Sequence, residues 1–330
     1  MWRPDPAQTV ARQLGTHFPD LDARAVETGL RRTLRPGGVV ALSQNGVQTV
    51  LTRRQEAGDS FEIASVTKPF TAALALALAA QGRIELDRPL SKQFTRFRGY
   101  PASVTARALL THTAGLPVHP LRGGLGMVQN FHDPYGRLNA DAVLASGRRW
   151  AWWGRNLAGR LGYSNFGYGL LALACAEAAG EAYPDALRRH VLGPLELLQT
   201  DFTPRTRLAT PHGLLGSART SGFGGLVGAG GLHSTAHDLL RFAAAHLEGQ
   251  LRGWETFTRP AGSPPNLVGV ADGWFVARMS RRLVWWHDGT ARGTRAALGF
   301  CPETGRAAVV LVSSGPAGGQ APGKLLSELL

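Results

Sequence analysis

The chain has 330 residues, 44% of them hydrophobic and only 18% charged, with a formal net charge of +13 and two cysteines. That much apolar material can bury a large core, which excludes a disordered chain and fits one large domain or two closely associated ones. Lysine occurs only at Lys68, Lys92 and Lys324, and the remaining basic excess is arginine in scattered pairs such as Arg31/Arg32 and Arg148/Arg149. Dispersed charge without a long basic run is not a nucleic-acid footprint, so no nucleic-acid partner is expected.

At the start of the chain, Pro4, Asp5 and Pro6 interrupt the apolar stretch that a secretory signal needs. Val26, Leu30 and Leu34 recur every fourth residue before Pro36-Gly37-Gly38, which predicts an amphipathic helix and its stop. Val39 to Gln44 and Val47 to Thr52 flank Asn45-Gly46, the signal for two strands joined by a two-residue turn. From Ser65 to about Ala80 the sequence is a strong helix former ended by Gly82. Its nearly apolar part, Phe70 to Ala80, falls short of the roughly 20 residues of a membrane span, so no span is expected.

Further helices are expected over Val104 to Leu110, Phe166 to Ala179, Pro184 to Leu192 and Thr235 to Leu247, the last opening on a capping-box pattern at Thr235 to Asp238. Strand signals return at Gly273 to Arg278, Arg282 to His287, Arg295 to Phe300 and Ala307 to Ser313, and Gly323 to Leu330 reads as a closing helix. Strands at both ends with helices between them imply an α+β fold: one mostly antiparallel sheet built from both chain ends with flanking helices, and an inserted helical region. The expected division is 1–64 with 211–330 for the sheet and 65–210 for the helical region. Cys175 and Cys301 have no close partner and no metal-type spacing, and with no evident export signal a reduced, cytoplasmic chain is expected.

The chemistry starts at Ser65-Val66-Thr67-Lys68. Residues three apart on a helix share a face, so the lysine amine can approach the serine hydroxyl, and a serine needs a neighbouring base to act as a nucleophile. Taken alone, the same four residues also fit a helix cap followed by a surface lysine. Tyr163 stands just before the Phe166 helix, where a phenol can point into a cleft or be a buried, hydrogen-bonded structural tyrosine. His233 and His237 are four apart but lack the Glu that a zinc H-E-x-x-H helix requires, so helix capping is the expectation there and no metal or cofactor is expected. The glycines of GFGGLVGAGG do not follow a strand in the dinucleotide-binding spacing and read as a loop beside the cleft.

Five ordered blocks then give a resemblance: DSFEIASVTKPFTAALALALAAQG around Ser65, LLTHTAGLP at Leu109 to Pro117, GYSNFGYGLLAL from Gly162, GAGGLHSTAHDLLRF from Gly228 and WWHDGTARG from Trp285. Together, over about residues 36 to 315, they resemble the serine β-lactamase and penicillin-binding-protein superfamily, in its branch of class C β-lactamases, family VIII carboxylesterases and D-amino-peptidases. The resemblance implies that Ser65 is the acylated nucleophile, that Lys68 accepts its proton, that Tyr163 is general base or relay, and that Asn165 orients the lysine and the substrate. His112 falls in a structural turn of the pattern.

The third block places His287, Asp288, Gly289 and Thr290 where the β-lactamases carry K-T-G. It implies close approach of substrate at Gly289 and an oxyanion hole from the amides of Ser65 and Thr290. His287 departs from the lysine of that pattern, as in esterases and peptidases of the superfamily. The expected function is a serine hydrolase with an acyl-enzyme intermediate, acting on small carboxylic esters. The alternatives are a β-lactamase or D-amino-acid peptidase and, in another class, a catalytically idle binding module on the same fold. The expected partner is a small-molecule ester, amide or lactam substrate.

Overall fold

The computed structural model describes residues 14–16, 18–120, 135, 136, 138–213, 216, 217, 220–279, 281–315 and 322–330, so the residues read as arguing against a secretory signal lie outside them. Helix α1 (Ala23–Thr33) opens with the Asp22 carboxylate accepting from the amides of Arg24 and Ala25, which satisfies donors that the first helical turn leaves without partners. Strands β1 (Gly38–Gln44) and β2 (Val47–Arg53) form the expected hairpin. Both turn residues, Asn45 and Gly46, have positive φ, at 50° and 81°, the conformation that matches the right-handed twist of the strands.

A short strand β3 (Phe61–Glu62) pairs with β4 (His233–Ser234), which ties the entry of the nucleophile segment to a distant part of the chain. Next come α2 (Thr67–Ala80), α3 (Ala106–Leu110), α4 (Ala140–Trp153), α5 (Asn165–Ala179), α6 (Tyr183–Leu187), α7 (Val227–Gly230) and α8 (Ala236–Leu247). The C-terminal part supplies β5 (Phe257–Thr258), β6 (Leu267–Ala271), β7 (Trp274–Met279), β8 (Arg282–Thr290), β9 (Arg295–Cys301), β10 (Arg306–Val312) and α9 (Pro322–Leu329).

Eight strands form one sheet in the order β2-β1-β10-β9-β8-β7-β6-β5, with every neighbouring pair antiparallel. The fold is therefore α+β, with the two chain ends meeting where β1 pairs with β10. Side chains alternate across a strand, and both faces are buried here. Val39, Ala41, Ala307, Val309 and Leu311 face the helical side and join a core that includes Phe70, Leu74 and Phe242. Val40, Leu42, Ala308, Val310 and Val312 face α1 and α9. Strands β1 and β10 therefore read as continuous apolar runs.

Several elements differ from expectation. The segment Pro184 to Leu192 is a short α-helix that widens into a π-helical turn at Arg188–Leu192. The glycine-rich segment is not an open loop: Gly224–Leu226 is a 3₁₀ turn leading into α7. The sheet has two more strands on one side, β6 and the edge strand β5, and α4 is an additional helix. Thr235 caps α8, accepting from the Asp238 amide, so the capping reading holds there, while His233 lies outside the helix in β4. Both cysteines are buried free thiols.

Candidate active site

Ser65 does not lie inside the helix. It sits in a 3₁₀ turn, Ala64–Val66, immediately before α2. Ala64 holds φ of 46°, a left-handed conformation that costs a non-glycine residue energy and turns the chain sharply into Ser65. Pro69 falls in the first turn of α2, where its missing N–H removes no helical hydrogen bond.

Lys68 is not a surface residue; it is fully buried. Its ammonium donates to Ser65 Oγ at 3.0 Å, Asn165 Oδ1 at 2.8 Å and the Ala229 carbonyl at 2.7 Å, so its three hydrogens have three partners. Burial pushes its pKa well below that of an ordinary lysine, opposed by the negative charge of Asp288. Loss of one proton leaves two N–H groups for Asn165 and Ala229 and turns a lone pair toward Ser65. Tyr163 donates from its hydroxyl to the same Ser65 Oγ at 2.8 Å, and burial raises its pKa, keeping the phenol protonated at neutral pH. The lysine nitrogen lies 4.9 Å from the Tyr163 ring centre. Ser65, Lys68, Tyr163 and Asn165, read from two separate blocks, thus form one hydrogen-bonded junction, and α7 joins it through the Ala229 carbonyl.

The loop bearing Tyr163 is fixed from below by His112. The His112 Nδ1 accepts from the Ser164 amide at 3.1 Å, so its proton must sit on Nε2, and burial holds its pKa well below the usual histidine range. Its ring centre lies 4.6 Å from that of Tyr163 and 5.1 Å from that of Tyr168. His112 itself takes φ of 58° in the turn after α3.

The third block lies on β8, which extends three residues past the expected end and carries His287, Gly289 and Thr290 with it. His287 is buried, and its Nδ1 donates to the Asp288 carbonyl at 2.8 Å, leaving Nε2 as a lone pair with no hydrogen-bond partner among the described residues. Burial, with the Lys68 charge adding to it, lowers its pKa to about 3, so it is a neutral imidazole at physiological pH. Its ring centre is 6.5 Å from that of Tyr163. Thr290 is exposed at the end of the strand. Asp288, which the sequence reading did not single out, is also exposed on this strand and acts electrostatically on both Lys68 and Tyr163.

A Cβ at Gly289 would stand 2.1 Å from the Ile63 carbonyl oxygen and 2.9 Å from the Ser65 amide nitrogen. Strand β8 can reach the nucleophile turn only with glycine at this position. Gly289→Ala is therefore expected to lower the melting temperature and to reduce turnover on the order of a hundredfold, as a displaced reacting group does. Unchanged melting and turnover in that variant would show that the strand does not need this approach.

Glu62, three residues before Ser65, is a second group the sequence reading missed. Its carboxylate accepts from the Ser221 amide at 2.8 Å, its carbonyl accepts from Thr294 Oγ1 at 2.7 Å, and burial raises its pKa to about 7. It braces the nucleophile turn against the segment leading to α7 and the loop after β8. Only side-chain size and a pairing 159 residues away define this role, so no local pattern announces it.

Comparison with known proteins agrees with this architecture. The family described as Beta-lactamase matches residues 23–328. The D-alanyl-D-alanine-carboxypeptidase/endopeptidase AmpH of Escherichia coli (strain K12) is 30% identical over 196 residues, which is 56% of this chain and 48% of that protein. The chain thus spans about half the length of that curated relative. Among solved structures, the octameric penicillin-binding protein homologue from Pyrococcus abyssi superposes with a TM-score of 0.78 at 21% identity, covering 93% of this chain and 76% of that one. A class C beta lactamase from Rhodobacter sphaeroides superposes with a TM-score of 0.71 at 18% identity, covering 98% of this chain and 97% of that one.

Proposed function

The chain belongs to the Beta-lactamase family, whose fold carries serine hydrolases, and from that premise we propose that it hydrolyses small carboxylic esters through an acyl-enzyme on Ser65. The observation that carries the proposal is the buried junction in which Lys68 and Tyr163 both reach Ser65 Oγ. Lys68, its ammonium disfavoured by burial, takes the Ser65 proton as the oxygen attacks the ester carbonyl. Tyr163, held protonated, hands its proton to the leaving alkoxide and is reprotonated through Lys68. The amides of Ser65 and Thr290 receive the oxyanion, and water then releases the acid. Asn165 keeps Lys68 aimed at the nucleophile.

Esters rather than β-lactams are supported by the charge of the third block. A fixed ammonium in the His287 position would pair with a β-lactam carboxylate, and a charge-assisted hydrogen bond of that kind is worth about 1.5 to 3 kcal/mol. Neutral His287 cannot supply it, and the neighbouring Asp288 carboxylate, whose pKa burial raises while Lys68 lowers it, disfavours an anionic substrate. A simple ester carries no such carboxylate and loses nothing.

The test is a side-by-side assay of p-nitrophenyl butyrate, a chromogenic cephalosporin and a D-amino-acid anilide. The expected result is the highest kcat/KM on the ester, with His287→Lys and Asp288→Asn each moving the ratio toward the cephalosporin. A higher kcat/KM for the cephalosporin in the wild type would replace the ester reading with the β-lactamase one, and preference for the anilide would replace it with the peptidase one.

A further inference from the structure

The end of α4 and the turn after it are unlike the rest of the surface. Trp153 is 62% exposed, Leu157 56% and Trp152 46%, and no other part of the described residues places two large aromatic side chains and a leucine so openly within six positions. The ring of Trp153 packs edge-on against Trp150 at 5.2 Å, while Trp152 is pinned by its indole N–H to the Gly99 carbonyl at 2.8 Å. These side chains are therefore held in place while their faces remain in solvent. Exposed aromatic surface of this kind marks an interaction site.

The charge along this stretch of chain has one sign. From Ala142 to Ala176 the sequence contains no Asp or Glu, but it contains Arg148, Arg149, Arg155 and Arg160. All four are exposed. Arg155 lies 5.7 Å from the Trp152 ring centre and donates to the Trp152 carbonyl at 2.8 Å, so its charge is fixed beside the aromatic surface. Arg98, next to Gly99, adds another exposed cation at the same place. The nearest acidic residue along the helix, Asp141, is at its opposite end and is paired with Arg96.

Tryptophan prefers the headgroup level of a bilayer, where its apolar ring and polar N–H are both satisfied, and arginine is drawn to anionic headgroups. We propose that the Trp152, Trp153 and Leu157 surface, with Arg149 and Arg155 around it, docks the protein peripherally onto an anionic phospholipid bilayer. A protein partner would have to supply an acidic rim around an apolar socket; a bilayer supplies anionic headgroups above acyl chains at every point. The same turn leads directly to the catalytic loop. The Gly159 amide donates to the Thr113 carbonyl and the Gly162 amide to the His112 carbonyl, one residue before Tyr163. Docking thus holds the site beside the lipid surface. The proposal is independent of which bond the enzyme cleaves.

The test is co-sedimentation of the whole protein with vesicles of phosphatidylcholine alone and of phosphatidylcholine with phosphatidylglycerol, together with the tryptophan emission spectrum. Binding and a blue shift are expected only with the anionic vesicles, weakening as salt is raised. Trp153→Ser and Arg149→Gln are each expected to weaken binding about fivefold, with circular dichroism unchanged. The charge-matched control Arg53→Gln, at the end of strand β2, removes the same single charge and is expected to bind like the wild type. No binding to the anionic vesicles, equal loss in the control, or a Trp153-dependent dimer in place of vesicle binding would overturn the proposal.

Discussion

Replacing Ser65 with alanine is expected to lower turnover of p-nitrophenyl butyrate by roughly five to six orders of magnitude, the scale on which a lone nucleophile carries covalent catalysis. The reason is geometric. Among the described residues, Ser65 Oγ is the one atom to which both the Lys68 amine and the Tyr163 phenol point, and no second hydroxyl receives hydrogen bonds from this pair. The substitution removes an oxygen from a turn whose backbone is held by β3, β4 and Gly289, so the fold should persist. Kinetics with a circular dichroism control check both halves. Activity within tenfold of wild type in a folded Ser65→Ala variant would move the nucleophile elsewhere.

The second large effect concerns proton transfer. Lys68→Ala and Tyr163→Phe should each reduce kcat by on the order of a hundredfold or more, the usual scale for a positioned acid or base. The pH dependence separates their roles. Burial lowers the Lys68 pKa, so the neutral, proton-accepting form becomes populated well below the pH at which an exposed lysine titrates, and the rate rises with pH through that lowered value. Lys68→Ala should lose this rising limb along with the rate. Tyr163→Phe should keep the limb and lose only rate, because a phenol with a raised pKa stays protonated throughout. Near-normal turnover in Tyr163→Phe would leave Lys68 as the whole proton path.

Much of the fold was legible where local pattern and tertiary role coincide. Asn45-Gly46 between two apolar runs, the apolar period ending at Pro36, and Gly180 closing α5 with φ of 68° all carry their structural reason in the residues themselves. Helix α4 was not legible because its buried face includes Gly147, where a side chain would collide with the Tyr100 hydroxyl and Leu170; close packing required a residue that weakens the helical signal. Strand β6 is five residues long with a register shift near Gly269, and β5 is only two residues, too little for a period of two to stand out.

In the site, the three-residue spacing of Ser65 and Lys68 predicted their contact, but not that the serine would sit in a strained turn ahead of the helix. Neither the burial of Lys68 nor the bracing by Glu62 and His112 is local. Each depends on segments that the sequence keeps far apart and the fold brings together.

The most direct test of the central claim is to treat the protein with a fluorophosphonate and map the modified peptide by mass spectrometry. Covalent addition at Ser65, absent in Ser65→Ala and slowed in Lys68→Ala, is the predicted result. Stable labelling of a different serine, or labelling that survives in Ser65→Ala, would contradict it.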